Sequence, residues 1–177
     1  MPEALHELSA PALVELYRRR EVSPVDVARS VLGHVERWEH HLHALFLLRP
    51  EQVLEQARAS EARWRKGQPL GPIDGVPVTL KENIARAGVP MPSGNAGVSP
   101  KVPDRDAPVT ERVLRSGGVV LGSTVMPDWG MLSSGVSSLH GTTRSPWDPA
   151  LTTGGSSSGA GAAGRPLPGA VRGSAVP

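Results

Sequence analysis

Val76-Pro77-Val78-Thr79-Leu80 is a short apolar run that leads directly into Lys81, and Gly118-Val119-Val120-Leu121-Gly122 is a second such run further along. Valine suits a pleated, buried surface, and short apolar runs bounded by glycine or charge predict strands covered on both faces. Thr110 to Ser116, between them, has the spacing of a helix. Strands alternating with helices predict an α/β sheet.

Upstream the grammar is helical. Ser9 can cap a helix carrying Leu13, Leu16 and Tyr17, with Pro11 tolerated in its first turn. Ser23-Pro24 starts a second, with Val25, Val27, Val31, Leu32 and Val35 near helical spacing. A third begins near Pro50-Glu51 and runs through Val53, Leu54, Ala57 and Ala62 until Gly67-Gln68-Pro69 stops it. All three are expected to be packing helices. His34, His40, His41 and His43 invite a metal site, but no carboxylate or further histidine cluster completes a shell, and no metal is expected. From Met126 to Gly159 the chain is rich in Ser, Gly, Thr and Pro, yet Trp129, Met131, Leu132, Val136, Leu139 and Trp147 lie among them. That mixture predicts an ordered loop folded onto a core and building a site, rather than a linker.

Composition narrows the function. The 177 residues are 38% apolar, enough for one real core, and 19 basic against 17 acidic residues leave a formal charge of only +2. The basic residues are scattered, so no nucleic-acid partner is expected. Cysteine is absent, which excludes disulfides and thiolate catalysis and fits a reducing compartment. Met1-Pro2-Glu3-Ala4 does not open a signal peptide and no run is long enough for a membrane span, so the expected location is the cytoplasm, with no membrane partner.

The candidate chemistry sits on two segments. Lys81 starts at the edge of a core, and drawing an ammonium out of water favours the neutral amine, which can act as a general base. The alternative is a lysine that snorkels or pairs with Glu82. Gly154-Gly155-Ser156-Ser157-Ser158-Gly159 offers hydroxyls and amides on a tight, glycine-permitted turn. It is not a Walker phosphate loop, because no lysine follows the glycines, and no nucleotide or other cofactor is expected. Gly155-Ser156-Ser157-Ser158-Gly159 has the Gly-x-Ser-x-Gly spacing of a nucleophile elbow, but no acid or histidine follows Gly159, which excludes that triad.

Five blocks in order carry a resemblance: Gly71 to Asn83, Asp106-Ala107-Pro108-Val109, Gly122 to Asp128, Gly141-Thr142-Thr143-Arg144-Ser145-Pro146-Trp147-Asp148-Pro149, and Gly154 to Gly159. Together they resemble the amidase signature family, over nearly the whole chain and most closely from Gly71 to Gly164. The resemblance implies N-terminal helices followed by part of a mixed sheet flanked by helices, organised as a helical segment 1–68, a core portion 69–164 and a divergent tail 165–177. It implies hydrolysis or transfer of carbon–nitrogen amide bonds by a Ser, cis-Ser, Lys triad acting on a small-molecule amide. Lys81 matches the base and Ser156 the bridging serine, with Gly155-Ser156 the cis bond. Gly154, Gly155, Ser157 and Ser158 form the loop around that serine, and Met131, Leu132 and Ser133 match the region lining the acyl pocket.

The family continues through a small-residue helix to a motif resembling Gly-Thr-Asp-Ile-Gly-Gly-Ser, whose last serine is the nucleophile. Here Arg165-Pro166-Leu167-Pro168-Gly169-Ala170-Val171-Arg172-Gly173-Ser174-Ala175-Val176-Pro177 stands in its place, and Pro166 and Pro168 would break a helix. Ser174, the only later serine, lacks the motif and is too close in sequence to Ser156. The nucleophile is therefore expected to be absent, and the chain inactive. The departure fits a truncated variant or a frameshift, since one choice of codons for Gly173 to Pro177 reads Ile-Gly-Gly-Ser in another frame. Three alternatives stay open: a non-catalytic amide-binding module, a decayed gene product, and a fragment of a tRNA-dependent amidotransferase A-type subunit working with partner subunits.

Overall fold

A computed structural model describes residues 4–164. The tail from Arg165 to Pro177, with Ser174 and the proposed frame change, lies outside the described residues.

The helices begin where their caps dictate. Helix α1 (Ala10–Arg19) starts on Ser9, whose Oγ accepts the Ala12 N–H, and stops where Arg20 turns left-handed at φ 60°. Helix α2 (Pro24–Leu42) opens with a full capping box, Ser23 and Asp26 each serving the other's backbone N–H. Helix α3 (Pro50–Arg65) has proline in its first turn, where a missing N–H costs nothing. A two-residue strand β1 (Leu45–Phe46) separates α2 from α3. Then follow β2 (Pro77–Lys81), α4 (Pro108–Arg115) and β3 (Val119–Thr124).

These strands form a mixed sheet in the order β1-β3-β2, with β1 antiparallel and β2 parallel to the central β3. The crossover through α4 is what a parallel pair requires. Val25 and Ala28 of α2, Val53 and Ala57 of α3, and Val119 and Leu121 of β3 make one buried cluster. Every residue of β3 is buried, as expected of a central strand covered on both faces. The side chain of Gln56 serves β3 where β1 is too short to reach, its Oε1 accepting the Val120 N–H at 3.0 Å.

One ion pair fastens α3 to the loop leading into β2. Asp74 is fully buried, and Arg63 reaches both its carboxylate oxygens, Nε to Oδ2 at 2.8 Å and Nη2 to Oδ1 at 2.7 Å. The Leu70 N–H donates to Oδ2 at 2.7 Å, the Trp64 indole donates to the Asp74 carbonyl at 3.0 Å, and the Tyr17 hydroxyl donates to the Gly75 carbonyl. Burial works against the Asp74 charge, but the Arg63 and Leu70 hydrogen bonds outweigh it and hold the carboxyl below its ordinary range.

The segment after β3 corrects one expectation. It carries a small hairpin, β4 (Val136–Ser137) with β5 (Gly141–Thr142), and ends at a short helix α5 (Ser158–Ala163). Val125, Met126 and Ala162 at its two ends are buried, but the six apolar side chains expected to fold onto a core do not: Trp129, Met131, Leu132, Val136, Leu139 and Trp147 are all exposed, Met131 by 81%. Polar bonds fix it instead. Asp128 accepts from the Ser138 hydroxyl, from the Ser138 N–H at 2.8 Å and from Asn95 Nδ2 at 2.9 Å. The Ser138 hydroxyl and backbone bonds lower the Asp128 pKa. Glycine and serine leave the backbone free to accept such bonds, so order here comes from hydrogen bonding and not from apolar burial.

Candidate active site

Lys81 is the last residue of β2, and its register partner on β3 is Thr124. The chain beyond Thr124 turns into contact with the start of α5: the Gly159 N–H and the Ser158 hydroxyl both donate to the Val125 carbonyl, at 3.0 and 3.3 Å. The Val125 N–H in turn donates to the Ala44 carbonyl at 3.0 Å. The end of β2 and the start of α5 are thus held to the same stretch of chain, and the result is a direct contact. Lys81 Nζ lies 3.0 Å from Ser156 Oγ and 3.1 Å from Ser157 Oγ, donating to both. Lys81 and Ser156 are half-buried, while Ser157 is exposed. The Gly155-Ser156 peptide bond is cis.

Two glycines allow this approach. A Cβ on Gly155 would lie 2.6 Å from the carbonyl oxygens of both Leu132 and Ser134. One on Gly159 would lie 2.3 Å from the Ala44 oxygen and 2.5 Å from the Val125 nitrogen, which are fixed backbone atoms. Gly159→Ala must therefore push α5 off β3. The expected cost is about 1–3 kcal/mol in unfolding free energy, together with loss of the Lys81–Ser156 contact, visible as a change in the Lys81 side-chain NMR signals. An unchanged Lys81 signal would rule out this account of Gly159.

Ser158 is buried and does not face Lys81; it accepts from the Thr143 hydroxyl at 3.3 Å, and Thr143 also donates to the His43 carbonyl at 3.1 Å. Gly154, at φ 80°, turns the loop past the Ser133 carbonyl. Leu132 and Ser134 meet this loop through their backbone oxygens, while the side chains of Met131, Leu132 and Ser133 stand exposed beside it. Gly130 lies closer still, its Cβ direction 3.7 Å from Ser156 Oγ.

The alternative in which Lys81 merely pairs with Glu82 does not hold. Glu82 is 1% exposed and points the other way, accepting the Met126 N–H at 3.2 Å and meeting His140 Nε2 at 2.8 Å. It ties the end of β2 to the hairpin and frees Lys81 for the serines. Sequence reasoning misses this pair, since 58 positions separate its members; the one signal open to it is an acid directly following a buried strand.

A sequence profile of the amidase family matches residues 26–164. The chain belongs to the amidase family. Among relatives, the A-type subunit of the glutamyl-tRNA(Gln) amidotransferase of Desulforudis audaxviator is 38% identical over 159 residues, covering 90% of this chain and 32% of the relative. Its mitochondrial counterpart from Ixodes scapularis is 36% identical, covering 86% of this chain and 31% of its own length. The structure of the peptide amidase of Stenotrophomonas maltophilia superposes with a TM-score of 0.81 at 28% identity, over 89% of this chain and 34% of that one. The chain thus spans about a third of the length of the amidase relatives it matches. Its helices and small mixed sheet are the corresponding part of the amidase fold. No helix among the described residues is long and apolar enough to cross a membrane.

Proposed function

We propose that this chain carries the base and the bridging serine of an amidase relay for hydrolysing carbon–nitrogen bonds of small amides, and that these residues alone do not complete a turnover. The observation that carries the reading is the 3.0 Å contact between Lys81 Nζ and Ser156 Oγ. In the relay the contact runs in the opposite proton sense to the one in the structure, with Lys81 Nζ taking the Ser156 hydroxyl proton. Ser156 takes a proton in turn from a nucleophilic serine as that oxygen attacks the amide carbonyl. The relay then reverses, the proton leaves with the amine, and water releases the acyl group. Ser157, also bonded to Lys81, holds the amine in line for Ser156. The exposed side chains of Met131 and Leu132 are placed to take the apolar part of the acyl group, and the cytoplasm is the proposed location.

No serine among residues 4–164 stands in a Gly-Gly-Ser motif of the nucleophile type other than the Ser156 loop itself. The purified chain is therefore expected to release no ammonia or amine above background from simple amides and anilides. Hydrolysis that Lys81→Ala and Ser156→Ala both abolish would refute the inactivity and put a nucleophile within these residues. Hydrolysis indifferent to both substitutions would refute the site.

A second reading is favoured by the relatives: this is part of an A-type subunit of a tRNA-dependent amidotransferase, the same relay serving transamidation together with partner subunits. Co-purification with the other subunits of such an enzyme separates it from a free-standing amidase.

A further inference from the structure

A cavity of about 40 Å³ lies where the start of α3, strand β3 and the segment after Lys81 meet, and Arg49, Gln52, Gln56, Arg86, Val120 and Leu121 are among its lining residues. Gln56 is committed to the backbone, Oε1 to the Val120 N–H and Nε2 to the Gln52 carbonyl, so the wall it forms is fixed. The two arginines are not so committed. Arg86 is half-buried; its Nη2 donates to Ser123 Oγ at 3.2 Å, while its buried Nε has no hydrogen-bond partner among the described residues. Arg49 is exposed at the N-terminal cap of α3, and its side chain caps nothing.

Burial and the positive charge of Arg49 both make the Arg86 guanidinium easier to deprotonate. Asp106 opposes them more weakly, its Oδ1 already accepting the Ala87 N–H at 2.7 Å. Two guanidiniums facing one space are unfavourable, and a bound anion relieves that repulsion directly; it also offers an acceptor to the unpartnered Arg86 Nε once the guanidinium turns toward the cavity. The helix start adds positive potential at the same point.

We propose that Arg49 and Arg86 form a binding site for a phosphate group. Guanidinium forks match the oxygens of phosphate in pairs, and two of them suit a dianion better than a carboxylate. The cavity holds a few oxygen atoms, so it takes the head group and leaves any organic remainder in solvent beside Arg49. The site shares no residue with the Lys81–Ser156 contact, and its test is independent of the amidase reading.

The test is thermal unfolding of the chain in phosphate, in acetate and in chloride at matched ionic strength, with ³¹P NMR line broadening as a second measure. The expected result is a saturable rise in Tm with phosphate over chloride, and at least about a tenfold loss of phosphate affinity in Arg49→Gln and in Arg86→Gln. Arg49 is exposed, so Arg49→Gln keeps the fold and remains informative even where Arg86→Gln does not. Phosphate and chloride curves that coincide, with no broadening, would overturn the site, as would phosphate binding retained in both variants. An equal rise in acetate would overturn phosphate as the ligand class. Glycerol phosphate distinguishes the sources: binding as tight as inorganic phosphate supports an open site for a phosphomonoester, and exclusion of it overturns the exposed-remainder geometry.

Discussion

Asp74→Ala is expected to cost this fold about 3–5 kcal/mol, because removing one partner of a buried ion pair leaves the other uncompensated. Arg63 can swing partly into water, since its side chain is 26% exposed, which places the effect toward the lower end. The Leu70 N–H, however, loses its acceptor as well. A domain of this size has only about 5–15 kcal/mol of stability in all, so most of the chain would lose its reserve. The measurement is urea unfolding followed by tryptophan fluorescence, for which Trp64, bonded to the Asp74 carbonyl, is a local reporter. A loss below about 1 kcal/mol, the scale of an ordinary surface ion pair, would mean that this junction does not hold α3 to the sheet. The same carboxylate sets an acid limit. Its folded pKa is lowered, so its contribution is complete above the unfolded value near 4 and is lost as pH falls below that toward the folded value. Asp74→Asn should flatten that part of the stability profile.

The second large effect concerns Lys81. Joined at Gly164 to the remaining two thirds of a peptide amidase, this chain is expected to support amide hydrolysis, and Lys81→Ala should lower kcat by about 10⁴-fold or more, as for relay members that act as a unit. Ser156→Ala should cost nearly as much, and the double variant little more than either alone, because each removes the same proton path. Additive losses would mean that the two side chains act separately and that their 3.0 Å contact is not a relay.

The parts of the fold legible from sequence are those written in local chemistry. Ser9, Ser23-Pro24 and Pro50 mark helix starts because capping and proline's fixed φ act within one turn. The strand around Val120 is legible because burial on both faces demands an unbroken apolar run. Strand β2, expected to be covered in the same way, lies at the sheet edge with only Leu80 buried, and its run is legible through the strand preference of valine and threonine. Strand β1 is only Leu45 and Phe46, too short to leave a period, and it exists because Thr124 and Ser123 offer it an edge. The hairpin at Val136 and Thr142 is missed for the same reason. The loop of Trp129 to Trp147 is misread because apolar content signals burial only on average, and here Asp128 and Ser138 supply the order. At the site, Lys81 and Ser156 stand out through their surroundings in sequence, and the structure brings them into contact. Glu82 with His140, and Thr143 with Ser158, do not stand out, because each depends on a pairing that only the folded chain creates.

The 75 positions between Lys81 and Ser156 also carry a consequence in time. At translation rates of about 5–20 residues per second, Ser156 is made roughly 4–15 s after Lys81. Only in the later part of that interval, once β3 has been made as far as Thr124, can β2 and β3 pair, and the lysine at the end of β2 still waits with no serine to meet. The proton path therefore cannot exist on a nascent chain until synthesis has passed the glycine-serine loop, and no shorter product of the gene has it at all.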